Sequence, residues 1–93
     1  VLKIYAPYRD IAPLETLIIG ILARRTLVAS NARRIVEAAN GKPVIFMGAR
    51  HDDWRTQAGD GWAAVLGGAG SVSTEAGRPS PDIPVTGTMP HAL

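Results

Sequence analysis

The chain has 93 residues, 46% of them hydrophobic and 19% charged, with a formal net charge of +2. This length supports one small core, and the composition is not that of a disordered segment, which joins low hydrophobicity to high net charge. The weak positive charge and the few aromatics, which are not interleaved with basic residues, argue against a nucleic-acid surface, and a chain without cysteine has no disulfides or thiolate metal sites.

Val1–Tyr5 alternates loosely and predicts a short strand. Ala6–Pro13 reads as a turn-rich link, with Asp10 as a cap for the next helix and Pro13 in its first turn. From Leu14 onward the periodicity is helical. Leu14, Leu17, Ile18, Ile21, Leu22, Val28, Ala32, Ile35 and Val36 share one side of a wheel with 3.6 residues per turn. Asn40-Gly41 is a fitting stop, and Pro43 keeps the helix from resuming. Arg25 conflicts with this pattern because it falls roughly 20° from the middle of the apolar stripe, at ~100° per residue. A bare guanidinium is not buried unpaired. Either the helix breaks near Arg24-Arg25-Thr26, or Arg25 has an acidic partner or an anion. Glu15, at the edge of the stripe, is a candidate for that partner. Gly20 in the helix interior suggests close packing by a neighbour.

Val44-Ile45-Phe46-Met47 is a continuous apolar run, as in a parallel strand buried on both faces. Gly59–Leu66 predicts a helix with Asp60 at or near its N-cap and Gly67-Gly68-Ala69-Gly70 as its stop. Ser71-Val72-Ser73 predicts a short strand, Glu75–Asp82 a loop or broken helix, and Ile83–Gly87 a further strand. Alternating strand and helix signals after residue 42 indicate an α/β fold. Trp54 and Trp62 read as packing residues. Leu17–Ala23, the longest apolar stretch, is too short to span a bilayer. No basic segment leads into an apolar run at the start, so the expected setting is cytoplasmic. Val1 stands inside an expected strand and no stop signal follows Ala92-Leu93, so both ends are expected to be interior to a longer chain.

Ligands of α/β folds gather at the carboxyl ends of parallel strands. Gly48-Ala49-Arg50-His51 leaves such an end. Arg50 supplies a planar fork for carboxylate or phosphate, and His51 a donor that charges near neutral pH. The alternative for Arg50 is a surface pair with Asp52 or Asp53. Gly67–Thr74 has the composition of a phosphate cradle, with bare backbone N–H groups and the hydroxyls of Ser71, Ser73 and Thr74; the alternative is a plain helix-to-strand turn. It has neither P-loop nor dinucleotide-fingerprint spacing. Thr88 and His91 follow the last expected strand, and His91 could act as nucleophile or general acid/base, or be an ordinary surface histidine. The aspartates lack calcium-loop spacing and the two histidines are far apart, so no metal site is expected.

Taken in order, Pro13–Leu17 with Leu22–Ser30, Gly48-Ala49-Arg50-His51-Asp52 with Trp54, Gly70–Thr74, and Ile83–His91 resemble the nicotinate phosphoribosyltransferase family. The resemblance implies an irregular α/β barrel, with a long helix followed by βα units, joined to a sandwich domain. Residues 1–12 would be a strand and link from the sandwich domain, and residues 13–93 part of the barrel catalytic domain. It implies transfer of phosphoribose from phosphoribosyl pyrophosphate to nicotinate in NAD biosynthesis, with ATP as cosubstrate, Mg2+ beside the pyrophosphate, and a homo-oligomer as the full-length enzyme. Carried over, Arg50 would hold the nicotinate carboxylate or a phosphate, and His51 would assist at the phosphate end. Ser73 and Thr74 would line the ribose and base side, Thr88 would add a substrate contact, and His91 would be phosphorylated by ATP. Alternatives are a quinolinate- or nicotinamide-type enzyme, or a non-catalytic α/β module that binds anions.

Overall fold

The computed structural model describes residues 2–87. Leu2–Tyr5 is without regular structure, so the predicted strand is not formed there. Its loose alternation has no strand beside it to complete a ladder among the described residues. Tyr8–Ile11 forms a single helical turn, α1, and a 3-10 turn over Ala12–Leu14 leads into helix α2, Glu15–Ala39. Asp10 therefore lies inside α1 and is not a cap for α2. Pro13 sits at the start of the 3-10 turn, where its missing N–H costs no hydrogen bond.

Helix α2 runs unbroken for 25 residues through Arg24-Arg25-Thr26. It stops where predicted. Asn40 takes a left-handed conformation with φ 49°, followed by Gly41 at φ 85°, and the Lys42 N–H bonds the Ala39 carbonyl at 3.1 Å. The predicted apolar stripe is present but only partly covered. Ala32 is buried and Ile18, Val28 and Val36 are half-buried, whereas Leu17 is 61% exposed and Leu14, Ile21, Leu22 and Ile35 are also exposed. No atom lies within 4 Å of a Cβ placed on Gly20, so the expected tight neighbour is not found there among the described residues.

Strand β1 (Ile45–Phe46), helix α3 (Gln57–Leu66) and strand β2 (Ser71–Val72) form a βαβ unit. The strands are parallel, with Ile45 opposite Ser71 and Phe46 opposite Val72. Bonds from the Gly70 N–H to Val44 O and from the Ser73 N–H to Phe46 O, each 2.9 Å, fix that register. Val85 adds a parallel bridge to Val72, through Val72 N–H to Pro84 O at 3.2 Å and Thr86 N–H to Val72 O at 2.8 Å. The expected strand over 83–87 is thus a single bridge. Parallel α/β pairing is as the sequence predicts. The described residues show β1, β2 and this bridge, and not a closed barrel. Nor is β1 buried on both faces: Ile45 is 36% exposed and Phe46 half-buried.

Helices α2 and α3 meet through small residues. Ala32, Ala64 and Ala69 form the buried cluster, with Val28 and Phe46 against it. A Cβ on Gly67 would come 2.4 Å from the Ala29 carbonyl and 2.8 Å from Ala32 Cβ, so glycine is required by the closeness of the helices. Both tryptophans contradict their expected packing role. Trp54 is 79% exposed and Trp62 about half-exposed among the described residues.

Candidate functional site

The register places the loops after β1 and β2 at one edge of the sheet. Phe46 pairs with Val72, so Met47-Gly48 and Ser73-Thr74 leave neighbouring strands side by side. Gly48–Arg50 forms a 3-10 turn. The His51 N–H (3.1 Å) and the Asp52 N–H (3.0 Å) both donate to the Gly48 carbonyl and close it. Gly48 is itself enclosed. A Cβ there would lie 2.6 Å from Phe46 Cζ and 3.2 Å from Asp52 Oδ2.

Arg50 and His51 are both exposed on this turn. The alternative partners for Arg50 are occupied. Asp52 Oδ1 is 2.8 Å from Arg24 Nη2. Asp53 is held by Arg55, with Nε–Oδ1 at 3.0 Å and Nη2–Oδ2 at 2.6 Å, and it also caps the next turn through the Arg55 N–H. That grip holds the Asp53 carboxyl below its ordinary range and raises the Arg55 guanidinium. Arg50 itself makes no side-chain hydrogen bond or ion pair within the described residues.

Beneath the turn lies an ionic cluster whose centre, Asp60, the sequence reading placed at a helix cap. Asp60 sits one turn inside α3 and its side chain is fully buried. It accepts from Arg24 Nε at 3.2 Å and Arg24 Nη2 at 2.9 Å, from Arg25 Nη1 at 2.5 Å, and from Thr56 Oγ1 at 2.7 Å. Burial opposes ionisation of Asp60. The hydrogen bonds from Arg24 and Thr56 and the charges of both arginines outweigh it and hold the carboxyl below its ordinary range. Hydrogen bonds to Asp60 and Asp52 raise the Arg24 guanidinium. Arg25 thus finds an acidic partner within a continuous helix, but that partner is Asp60; Glu15 is exposed. A signal for Asp60 was present: a carboxylate between two glycines in an otherwise apolar helix. The glycines admit its neighbours, since a Cβ on Gly59 would fall 1.9 Å from Arg25 Nη2, and one on Gly61 1.9 Å from the Gly77 carbonyl oxygen.

Ser73 is half-buried at the end of β2. The Thr74 hydroxyl oxygen accepts from the Gly77 N–H at 3.1 Å and so caps a 3-10 turn over Glu75–Gly77. It keeps its own proton for another acceptor. Thr88 and His91 lie outside the described residues. A groove of about 380 Å³ runs between α2 and β1, lined by Leu27, Val28, Val44 and Phe46, with Arg24 and Asp52 among its polar groups.

Over all 93 of its residues the chain is 35% identical to the nicotinate phosphoribosyltransferase pncB1 of Mycobacterium tuberculosis. It is 31% identical, over 98% of its length, to the nicotinate phosphoribosyltransferase pncB2 of the same organism. The chain is related to nicotinate phosphoribosyltransferases along its whole length. It spans about one fifth of these relatives, 21% of pncB1 and 20% of pncB2. No family model matches it, and no solved structure does. No helix among the described residues is long and apolar enough to cross a membrane.

Proposed function

We propose that this chain is part of a nicotinate phosphoribosyltransferase, and that its strand ends supply the side of the site that receives the anionic groups of nicotinate and phosphoribosyl pyrophosphate. The observation that carries this reading is the exposed Arg50–His51 turn, whose neighbouring carboxylates are both bound by other arginines. It is supported by the similarity of nearly all of this chain to about one fifth of two proteins named nicotinate phosphoribosyltransferase. Residues 1–12 would lead in from a sandwich domain, and 13–93 would contribute to a barrel in a cytoplasmic, oligomeric enzyme.

In this mechanism the Arg50 fork takes the carboxylate of nicotinate or a phosphate, bidentately where geometry allows. His51 assists at the phosphate end as a ring N–H donor. Ser73 and Thr74 hydroxyls line the ribose and base side. Departure of pyrophosphate leaves positive charge on the ribose ring while negative charge gathers on the leaving group. Fixed cations and correct placement of the attacking base supply most of the rate. A ring nitrogen of His91 would take the terminal phosphoryl group of ATP, with cleavage of its bond to the bridging oxygen and release of ADP. The added negative charge would then favour one substrate-binding state over another. Mg2+ would be brought with the pyrophosphate.

The direct test is an assay of the complete gene product with nicotinate and phosphoribosyl pyrophosphate, with and without ATP. Formation of nicotinate mononucleotide and pyrophosphate is the expected result. No product under either condition, from folded protein, would exclude the reading.

A further inference from the structure

Arg50 lies two residues from Asp52 and three from Asp53. In a short turn, a carboxylate that near is an intramolecular competitor for any anion, at an effective concentration in the millimolar range or above. A loop that offered Arg50 to substrate beside two free aspartates would bind its own side chains first.

The arrangement in α2 removes this competition. Arg24 reaches Asp52 through Nη2 at 2.8 Å, and the same nitrogen and Nε engage Asp60 at 2.9 and 3.2 Å. Arg24 is thereby fixed. Its fork is matched on two sides to the buried Asp60, which Arg25 and Thr56 also hold. Asp52 is the second acceptor of a guanidinium that is already positioned. The cluster contains Arg24, Arg25, Asp52 and Asp60, so its formal charges cancel, and Arg50 keeps its own. Asp53 is withdrawn in the same manner by Arg55.

We propose that Arg24 is a positioning residue for anion binding: by holding Asp52 against α2, it keeps the Arg50–His51 turn open to phosphate or carboxylate ligands. This rests on reading Arg50 as an anion contact. Its test therefore uses binding as well as turnover.

The experiment measures calorimetric binding of inorganic pyrophosphate to the complete gene product at low ionic strength, where surface charges are least screened. The proteins are wild type, Arg24→Gln, Asp52→Asn and the double variant, each with its urea-unfolding midpoint. Arg24→Gln is expected to weaken pyrophosphate at least fivefold, because the released Asp52 competes for Arg50. In the Asp52→Asn background the same substitution is expected to change affinity less than twofold, although its stability loss through Asp60 persists. Equal weakening in both backgrounds would show that Arg24 serves structure alone and would overturn the proposal, as would a wild type that does not bind pyrophosphate. If Arg24→Gln does not fold, Arg24→Lys replaces it: the ammonium stays with buried Asp60 but lacks the fork to hold Asp52 as well, and the same pattern is expected. Loss of phosphoribosyl transfer in wild type with this binding pattern intact would refute the enzymatic reading and leave the role of Arg24 standing.

Discussion

Arg24 and Asp60 face each other with two pairs of atoms, Nε to Oδ1 at 3.2 Å and Nη2 to Oδ2 at 2.9 Å, and so join helices α2 and α3 by a planar fork. Removing one side of such a pair leaves charge without compensation. Asp60→Asn is expected to destabilise the protein by roughly 2–3 kcal/mol, less than the about 3–5 of a wholly buried pair, because both guanidinium groups reach solvent in part. Urea unfolding of the variant against wild type measures it, and an unchanged midpoint would show that the cluster adds nothing to stability.

The same carboxyl sets an acid limit. Asp60 is held below its ordinary value of 3.8 in the folded protein. Between the two values the unfolded chain binds more protons than the folded one, so stability falls as pH falls. The contribution of Asp60 is complete above its unfolded value and is lost as pH drops through its folded value. Melting temperatures of wild type and Asp60→Asn are expected to converge below pH 3.8 and to stay apart at neutral pH. A constant difference across the range would contradict the linkage.

Two glycines in helices should respond in opposite directions to alanine. Gly61→Ala would put a methyl group 1.9 Å from the Gly77 carbonyl oxygen, a backbone atom that cannot swing aside. A loss of about 1–3 kcal/mol is expected from overpacking. Gly20→Ala meets nothing within 4 Å in the second turn of α2 and should gain about 0.5–1 kcal/mol from backbone entropy. Thermal melts of the two variants decide the point.

Arg50→Ala should leave the fold intact, since the side chain is exposed and makes no hydrogen bond or ion pair among the described residues. In the proposed enzyme it removes a charge-assisted bond worth about 1.5–3 kcal/mol. KM for nicotinate or phosphoribosyl pyrophosphate is then expected to rise about tenfold or more. Steady-state kinetics that match wild type would take Arg50 out of the site.

In the proposed enzyme, His91→Asn is expected to abolish stimulation by ATP while some basal transfer of phosphoribose continues. The ratio of initial rates with and without ATP is the measurement. A ratio equal to that of wild type would dismiss phosphorylation of His91.

The long helix, its stop at Asn40-Gly41 and the βαβ alternation were legible in the chain because each rests on local chemistry. Periodicity names an apolar face but not what covers it. It therefore marked Leu17 and Ile21 as core positions, although both are exposed in the described structure. Arg25 was legible as a conflict: a cation in an apolar stripe needs a partner. Its identity was not, because Asp60 is 35 residues away and only the packing of α3 on α2 brings them together. The turn holding Arg50 could be placed at a strand end. That Asp52 turns away from it depended on Arg24 in a distant helix, which no local spacing encodes. Leu2–Tyr5 shows the converse failure: alternation alone suggested a strand where no ladder exists.

Where α2 crosses α3, the touching surfaces are Ala29, Ala32, Ala64 and Gly67. Alanine and glycine have no side-chain rotamers to freeze, so bringing the two helices together forfeits little side-chain freedom. The glycine notches at Gly59 and Gly67 set how closely the two rods approach. The ionic knot around Asp60 adds a directional contact between them, a locating pin beside an apolar seam.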